Sequence, residues 1–245
     1  MMYTRTKAVA LTLSAITIGA VSALAAVGSG FTFFGAATYV MPGNNSNRAV
    51  KLTADANAGI FSGIDFAVPA NLTINNLNDL STDYNFQAGS CAAGSPRFGI
   101  QLAGFTGTIF VYIGPPPNYT GCPPNVWTNT GNLLTPGSLV DDSQLGGHQN
   151  DTWSTVQNNF TGQAISKIFL VSDNGPSTTG LGSQTVLIDN TQVAGKLYTY
   201  EFTSPNSCKN GGWERFKYPP GPFKNQGQCV SYFEHKKHHD ELQQQ

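Results

Sequence analysis

Short runs of β-branched and aromatic residues alternate along the chain with clusters of Gly, Pro, Asn and Asp. Runs of this length, separated by turn-forming residues, are typical of antiparallel strands joined by tight loops. The pattern predicts strands over residues 31–41, 49–53, 63–68, 83–87, 98–102, 108–113, 165–172, 185–193 and 196–202. We therefore expect an all-β protein built as an antiparallel β-sandwich.

One stretch has helical spacing instead. Trp153, Val156 and Phe160 recur three and four residues apart, which places them on one face of a helix. Asp151 precedes them and has a side-chain oxygen that can cap the first turn. The pattern predicts one short helix over residues 151–160.

Residues 1–25 have the pattern of an export signal. Arg5 and Lys7 precede an uncharged apolar stretch that ends in Ala-Leu-Ala at residues 23–25, a small-x-small cleavage sequence. The alternative is a membrane anchor, because the stretch approaches the roughly 20 residues that span a bilayer. The Ser, Thr and Gly residues within it favour cleavage. We expect a secreted or cell-surface protein with no transmembrane segment after cleavage.

Charged residues make up only 11% of the chain, against about 25% in an average soluble protein. Loss of Arg5 and Lys7 reduces the 13 basic residues to 11 against 14 acidic ones, a net charge of −3. Polarity comes instead from Asn, Gln, Ser, Thr and Gly, which suits an exported protein. This composition gives no reason to expect nucleic acid as a partner.

The four cysteines form two local pairs along the sequence. Three pairings are formally available, and we predict Cys91 with Cys122 and Cys208 with Cys229, because each pair closes a loop rich in Pro and Gly. Zinc binding is the alternative, but no two cysteines have the C-x-x-C spacing. Disulfides persist in the oxidising compartment that the export signal implies.

Two segments resemble a known type of module. Residues 183–193 (SQTVLIDNTQV) resemble the closing strand of jelly-roll carbohydrate-binding modules of the galactose-binding-like type, and residues 165–173 resemble its partner strand. Residues 42–52 and 94–98 are similar to uncharacterised secreted bacterial proteins of this architecture. The resemblance spans residues 35–195 and implies a jelly-roll sandwich over residues 26–203. It also implies a candidate structural calcium site that includes Asp189, and no other cofactor.

A second resemblance covers the C-terminal part. Residues 208–213 (CKNGGW) and 223–231 (FKNQGQCVS) resemble a small cassette found on exported bacterial proteins, to which no activity is attached. We predict that residues 204–233 form a disulfide-closed hairpin. Residues 234–245 are polar and lack an apolar pattern, which predicts a disordered tail.

The sequence contains few candidates for catalysis. It has no G-x-S-x-G, no H-E-x-x-H and no glycine-rich phosphate loop with Lys. A glycosidase needs two carboxylates that flank one bond. The candidate acids are Asp65, Asp141, Asp142 and Asp189, for which turn and strand-end positions provide structural explanations. We expect a non-catalytic protein, with an extracellular hydrolase as the third alternative.

Sugar binding by a sandwich relies on aromatic rings that stack on the sugar, with amides that bind the hydroxyls. The candidate ligand-binding residues are Tyr112, Asn118, Tyr119, Asn125 and Trp127. We expect Tyr112 to be half exposed on a strand and the others to lie in the loop region framed by Cys91 and Cys122. The alternative is that these aromatics only pack. The predicted function is carbohydrate binding, and the second choice is a structural or adhesive envelope protein without a small ligand.

Overall fold

The computed structural model describes residues 30–92, 94–173 and 182–242, without the side chains of residues 237–242. The expected export signal at residues 1–25 and the last three residues of the expected tail lie outside the described residues.

Strands account for most of the regular structure. In chain order they are β1 (Phe31–Gly35), β2 (Thr38–Val40), β3 (Ala49–Asp55), β4 (Ser62–Phe66), β5 (Leu80–Ala88), β6 (Arg97–Leu102), β7 (Thr108–Tyr112), β8 (Thr128–Asn129), β9 (Leu139–Val140), β10 (Asp151–Thr152), β11 (Ile165–Ser172), β12 (Ser183–Val193) and β13 (Lys196–Tyr198). The two α-helices of the described part are α1 (Trp153–Asn159) and α2 (Gln226–Leu242). The protein is therefore mostly β, as predicted.

The strands form two main antiparallel sheets. The first has the order β1-β4-β11-β6-β7, and the second has the order β2-β3-β12-β5-β8 with β13 added beside β12. A small pair, β9 with β10, stands apart from both. Consecutive strands often lie in different sheets, so most neighbours in a sheet are distant in sequence.

One hydrophobic core lies between the two main sheets, which gives a β-sandwich arrangement. Val50 and Leu52 of β3 and Val186 of β12 contribute to it from the second sheet, and Ile64 of β4 and Leu170 of β11 from the first. These residues alternate with more exposed ones because successive side chains of a strand point to opposite faces.

Two predicted strands are shorter or divided in the structure. The predicted strand over residues 31–41 is divided, because the chain leaves the first sheet after Gly35 and enters the second at Thr38. The predicted strand over residues 196–202 ends at Tyr198. Beyond it, the carbonyl oxygens of Tyr200 and Glu201 accept hydrogen bonds from the Arg48 side chain and not from a neighbouring strand.

The predicted helix is present as α1, but its cap is different. Thr152 caps the helix by accepting a hydrogen bond from the backbone N–H of Thr155. Asp151, the predicted cap, pairs with Val140 in the β10–β9 ladder. Trp153 and Val156 are buried as their spacing predicts.

The C-terminal part contains a helix where we predicted a hairpin. Residues 204–233 contain two short 3₁₀ segments, Pro205–Cys208 and Gly212–Arg215, followed by the start of α2. Helix α2 continues to Leu242, through most of the tail predicted to be disordered. A second hydrophobic core, separate from that of the sandwich, is formed here by Cys208, Phe216, Phe223, Cys229 and Phe233.

Both predicted disulfides are confirmed. Cys91 is bonded to Cys122 and Cys208 to Cys229, and the described residues contain no free cysteine. Neither of the described helices is long and apolar enough to cross a membrane.

Candidate functional site

The outer surface of the first sheet, on the side away from the core, carries four phenylalanines. Phe34 lies on β1, Phe61 immediately before β4, Phe110 on β7 and Phe169 on β11. All four line one cleft of about 640 Å³. We call this surface the phenylalanine face.

The pairing of the strands brings these residues together. One cross-strand row runs Thr32, Asp65, Phe169, Gly99 and Phe110, and the next runs Phe34, Gly63, Val171, Arg97 and Tyr112. The rings of Phe34 and Phe169 meet edge to face, with their centroids 6.5 Å apart. The Phe61 ring lies beside that of Phe34, with the two centroids 6.3 Å apart.

Two glycines make room for these rings. The far end of the Phe169 ring lies over Gly99, and that of the Phe34 ring over Gly63, so that a methyl group at either glycine would overlap the ring. Each ring can therefore lie across the neighbouring strand instead of standing away from the sheet. The result is a broad aromatic surface on a rigid sheet.

An ion pair borders the face on one side. The guanidinium of Arg97 donates to both carboxylate oxygens of Asp173, at 2.8 and 2.5 Å, and to the carbonyl oxygen of Gly94 at 2.9 Å. The same group stacks on the ring of Phe110, 4.5 Å from its centroid. This bidentate arrangement fixes both the arginine and the aromatic ring.

A second ion pair lies among the phenylalanines. Lys167 Nζ is 3.0 Å from Asp65 Oδ1, and both side chains are about one third to two fifths exposed. The ammonium group also lies 5.3 Å from the Phe169 ring centroid and 5.8 Å from that of Phe34. Gln101 and Thr108 complete the polar lining and are hydrogen-bonded to each other at 3.2 Å.

Two of the predicted ligand-binding residues, Tyr112 and Tyr119, help to line a different, smaller cleft of about 360 Å³. Tyr112, predicted to be half exposed, is buried because its hydroxyl donates to Asp141 Oδ2 at 2.5 Å and its ring packs 4.4 Å from that of Tyr119. Burial and the Asp141 carboxylate raise the pKa of Tyr112 above its usual range. Tyr119 is also buried and donates to Asn150 Oδ1 at 2.6 Å.

The other three predicted residues do not join these tyrosines. Asn118 and Asn125 are exposed and Trp127 is half-buried, and none of them is among the residues that line the described clefts. A ligand site built from all five residues therefore stays a prediction, and the structure brings only Tyr112 and Tyr119 into contact.

Asp189 is fully buried next to a bulge in β12. Its Oδ2 accepts hydrogen bonds from the backbone N–H of Asn44 at 2.8 Å and from the hydroxyl of Ser46, and its Oδ1 accepts from the backbone N–H of Asn190. The described residues contain no group of three or more His, Cys, Asp or Glu side chains placed to hold a metal ion. Calcium binding by Asp189 stays a prediction.

Asp142 is the other fully buried carboxyl among the candidate acids. Its Oδ1 accepts from the backbone N–H of His148 at 3.0 Å, its Oδ2 accepts no hydrogen bond among the described residues, and the Asp151 carboxyl group is a neighbour. Two neighbouring carboxyl groups repel each other when both are ionised, which favours a state in which one of them carries a proton. Burial and Asp151 raise the pKa of Asp142, whereas hydrogen bonds from His148 lower that of Asp151.

The phenylalanine face was not predicted from the sequence. Its strands were predicted, but β11 has apolar residues on both faces, with Ile168 and Leu170 alternating with Phe169 and Val171. The sequence did contain a usable signal. The strand at residues 165–172 is apolar on both faces, and the neighbouring strand has a glycine, Gly99, at its centre, which indicates a close approach by another group.

No protein-family model, curated protein or solved structure matches this chain.

Proposed function

We propose that this protein is an exported, non-catalytic carbohydrate-binding protein with a jelly-roll sandwich, and that the sugar binds on the phenylalanine face. The observation that carries the proposal is the cleft of about 640 Å³ in which four phenylalanine rings alternate with two ion pairs and a glutamine. Aromatic rings offer stacking surface to the apolar faces of a sugar, and fixed polar groups bind its hydroxyls.

The rigidity of the site favours binding. Its rings are held by the sheet and by contact with the glycines, and Arg97 is fixed by Asp173 and Phe110. A ligand on such a surface does not have to order loops, which reduces the entropic cost of binding.

Other observations support parts of the proposal. The two disulfides are compatible with an oxidising extracellular location. The resemblance of residues 183–193 and 165–173 to carbohydrate-binding modules favours a sugar over other ligands. Asp65 and Asp173, the two carboxylates in the cleft, are each committed to an ion pair, whereas a glycosidase acid must carry a proton.

The test is binding of the purified protein to a glycan array and to insoluble polysaccharides, followed by titration calorimetry of each glycan that binds. Replacing Phe169 or Phe110 by Ala should weaken binding about 5- to 150-fold, which corresponds to the loss of about 1 to 3 kcal/mol of stacking energy. Phe105→Ala is the matched control, because Phe105 is 41% exposed but contacts Phe160 outside the cleft. It should leave binding unchanged.

Three results would assign the site or the function differently. Loss of binding in Tyr119→Ala and Trp127→Ala, with Phe169→Ala unaffected, would place the site in the predicted loop. Release of reducing sugar would indicate a hydrolase. A failure to bind any glycan would favour the structural or adhesive function.

A further inference from the structure

The charged side chains of the phenylalanine face balance one another. Its cleft is lined by two cations, Arg97 and Lys167, and two anions, Asp65 and Asp173, and each cation is in contact with one of the anions. We propose that this face selects neutral glycans and discriminates against those that carry carboxylate or sulfate groups. The inference rests on the proposed function and specifies its ligand class.

Arg97 is the group that would be expected to bind an anionic sugar, but it is already occupied. Its two terminal nitrogens donate to both oxygens of Asp173 and to the carbonyl oxygen of Gly94, its Nε is buried without an acceptor among the described residues, and one face of the guanidinium covers Phe110. The Arg97 side chain is only 15% exposed. A carboxylate ligand would have to replace Asp173 in a partly buried bidentate pair, and the displaced Asp173 would then be left without its cation.

Lys167 is more accessible, but an anion that approaches it also approaches Asp65. The Asp65 carboxylate lies 3.0 Å from the ammonium group, between the strand positions of Thr32 and Phe169. Like charges at such separations repel, and the repulsion is stronger where the surroundings are apolar, as they are beside Phe34 and Phe169. The ion pair therefore opposes a second carboxylate.

A neutral sugar can use the same ion pair without disturbing it. One hydroxyl accepts a hydrogen bond from the Lys167 ammonium group, which has three hydrogens and lies within ion-pair distance of Asp65, and a neighbouring hydroxyl donates to the Asp65 carboxylate. Gln101, which pairs with Lys167 across the two strands, offers a further amide to the sugar. The carbon atoms of the sugar ring then lie over the phenylalanine rings.

The test compares pairs of oligosaccharides that differ only in charge: glucan with glucuronan, galactan with galacturonan and mannan with mannuronan, at equal length. Whenever the protein binds one or both members of a pair, the neutral oligosaccharide should bind at least about tenfold more tightly than the charged one. The affinity for the neutral oligosaccharide should change less than twofold between low and high NaCl concentrations. A preference for the uronan, or affinity that falls steeply with salt, would overturn this inference and leave the proposed function intact. Absence of binding to both classes would overturn both.

Two variants change the charge of the face in opposite directions. Asp65→Asn leaves Lys167 uncompensated, so the ratio of uronan to neutral affinity should rise at least about tenfold. Lys167→Gln leaves Asp65 uncompensated, so the same ratio should fall further. Glu214→Gln and Lys51→Gln make the same charge changes away from the cleft and should leave the ratio unchanged. Equal shifts in the control variants, or no shift in Asp65→Asn, would show that the ion pair does not set selectivity.

Discussion

Asp189 accepts a hydrogen bond from the hydroxyl of Ser46, which lies 143 residues earlier in the chain. The same carboxylate oxygen accepts the backbone N–H of Asn44. Asp189 reaches these groups because the register of β12 shifts between Asp189 and Gln192, where Asn190 has a φ of 45°. The carboxylate thereby holds residues 43–46 against the second sheet.

We predict that Asp189 makes the protein more stable as the pH falls from 7 to 4. Burial raises the pKa of Asp189 from its usual 3.8 to about 6 in the folded protein. Between these values the folded state binds a proton that the unfolded state does not, so the free energy of unfolding rises on acidification. Relative to Asp189→Asn, the wild type should gain about 2 to 3 kcal/mol over this range, measured by urea denaturation at several pH values. A difference that is constant or shrinks in acid would contradict the prediction.

A calcium titration tests the other role predicted for Asp189. Calcium is bound by several oxygen ligands, whereas the groups that face this carboxylate are the N–H and O–H donors of Asn44, Ser46 and Asn190. Because a ligand of the folded state raises the melting temperature, calcium bound at Asp189 should raise it by several degrees, and Asp189→Asn should abolish the rise. A melting temperature that neither calcium nor a chelator changes would contradict a calcium site at this position.

Asn47, which directly follows residues 43–46, connects this part of the chain to the C-terminal part. Its side-chain oxygen accepts the backbone N–H of Tyr218, and its amide donates to the carbonyl oxygens of Tyr218 and Pro219 and to Glu201. Its backbone N–H donates to Glu201 Oε1 at 2.5 Å. Asn47 is 2% exposed, whereas Glu201 and Tyr218 are half-buried and Pro219 is exposed.

We predict that Asn47→Ala lowers the free energy of unfolding by about 1 to 3 kcal/mol, because it leaves the N–H of Tyr218 and one oxygen of Glu201 unpaired in a partly buried site. Denaturation by urea measures the loss, and limited proteolysis should cut more rapidly between residues 203 and 224. Asn158→Ala, an exposed position on α1, is the matched control and should change stability by less than about 0.5 kcal/mol. Similar losses in the two variants would mean that Asn47 does not hold the C-terminal part.

The proximity of the Asp142 and Asp151 carboxyl groups predicts an unusual response to amide substitution. Asp142 Oδ2 is buried and accepts no hydrogen bond among the described residues, which fits a carboxyl that carries the shared proton. In Asp142→Asn the amide supplies that hydrogen permanently. Because the pKa of Asp142 is raised in the folded state, the wild type loses stability as the pH rises through it. We therefore expect the free energy of unfolding of Asp142→Asn to increase relative to that of the wild type as the pH rises above the usual carboxyl pKa of 3.8, measured by urea denaturation at several pH values. A difference in the free energy of unfolding between the two proteins that does not change with pH would contradict a proton shared by Asp142 and Asp151.

The antiparallel β class, the disulfides and most strand positions followed from local patterns. Residues 165–172 were predicted with the bounds of β11, because turn residues limit an apolar run of strand length at both ends. The division of residues 31–41 was not predictable in this way. Both halves have strand composition, and only the pairing of Phe34 with Gly63 and of Tyr39 with Val50 assigns them to different sheets.

The candidate site was harder to predict, because it depends on which face of each strand is covered. Tyr112 was expected to be accessible, yet Asp141, 29 residues further on, binds its hydroxyl and helps to bury it. The strand pattern of residues 165–172 assigned no face to Phe169, and the structure places it on the outer face above Gly99. Helix α2 was missed because its apolar residues, apart from Leu242, lie within residues 229–233, so no long periodic pattern identifies it.

The end of α2 provides a last prediction, because its buried and exposed parts are adjacent. Phe233 is 3% exposed and packs against Phe216 at 5.5 Å in the second core, whereas residues 234–236 are exposed. Phe233→Ala should therefore destabilise the C-terminal core by about 3 kcal/mol and accelerate reduction of Cys208–Cys229 by dithiothreitol, with Cys91–Cys122 unaffected. Deletion of residues 234–245 keeps Phe233, so it should leave both the reduction rate and the melting temperature nearly unchanged. If the deletion is as harmful as Phe233→Ala, the end of the helix contributes packing of its own.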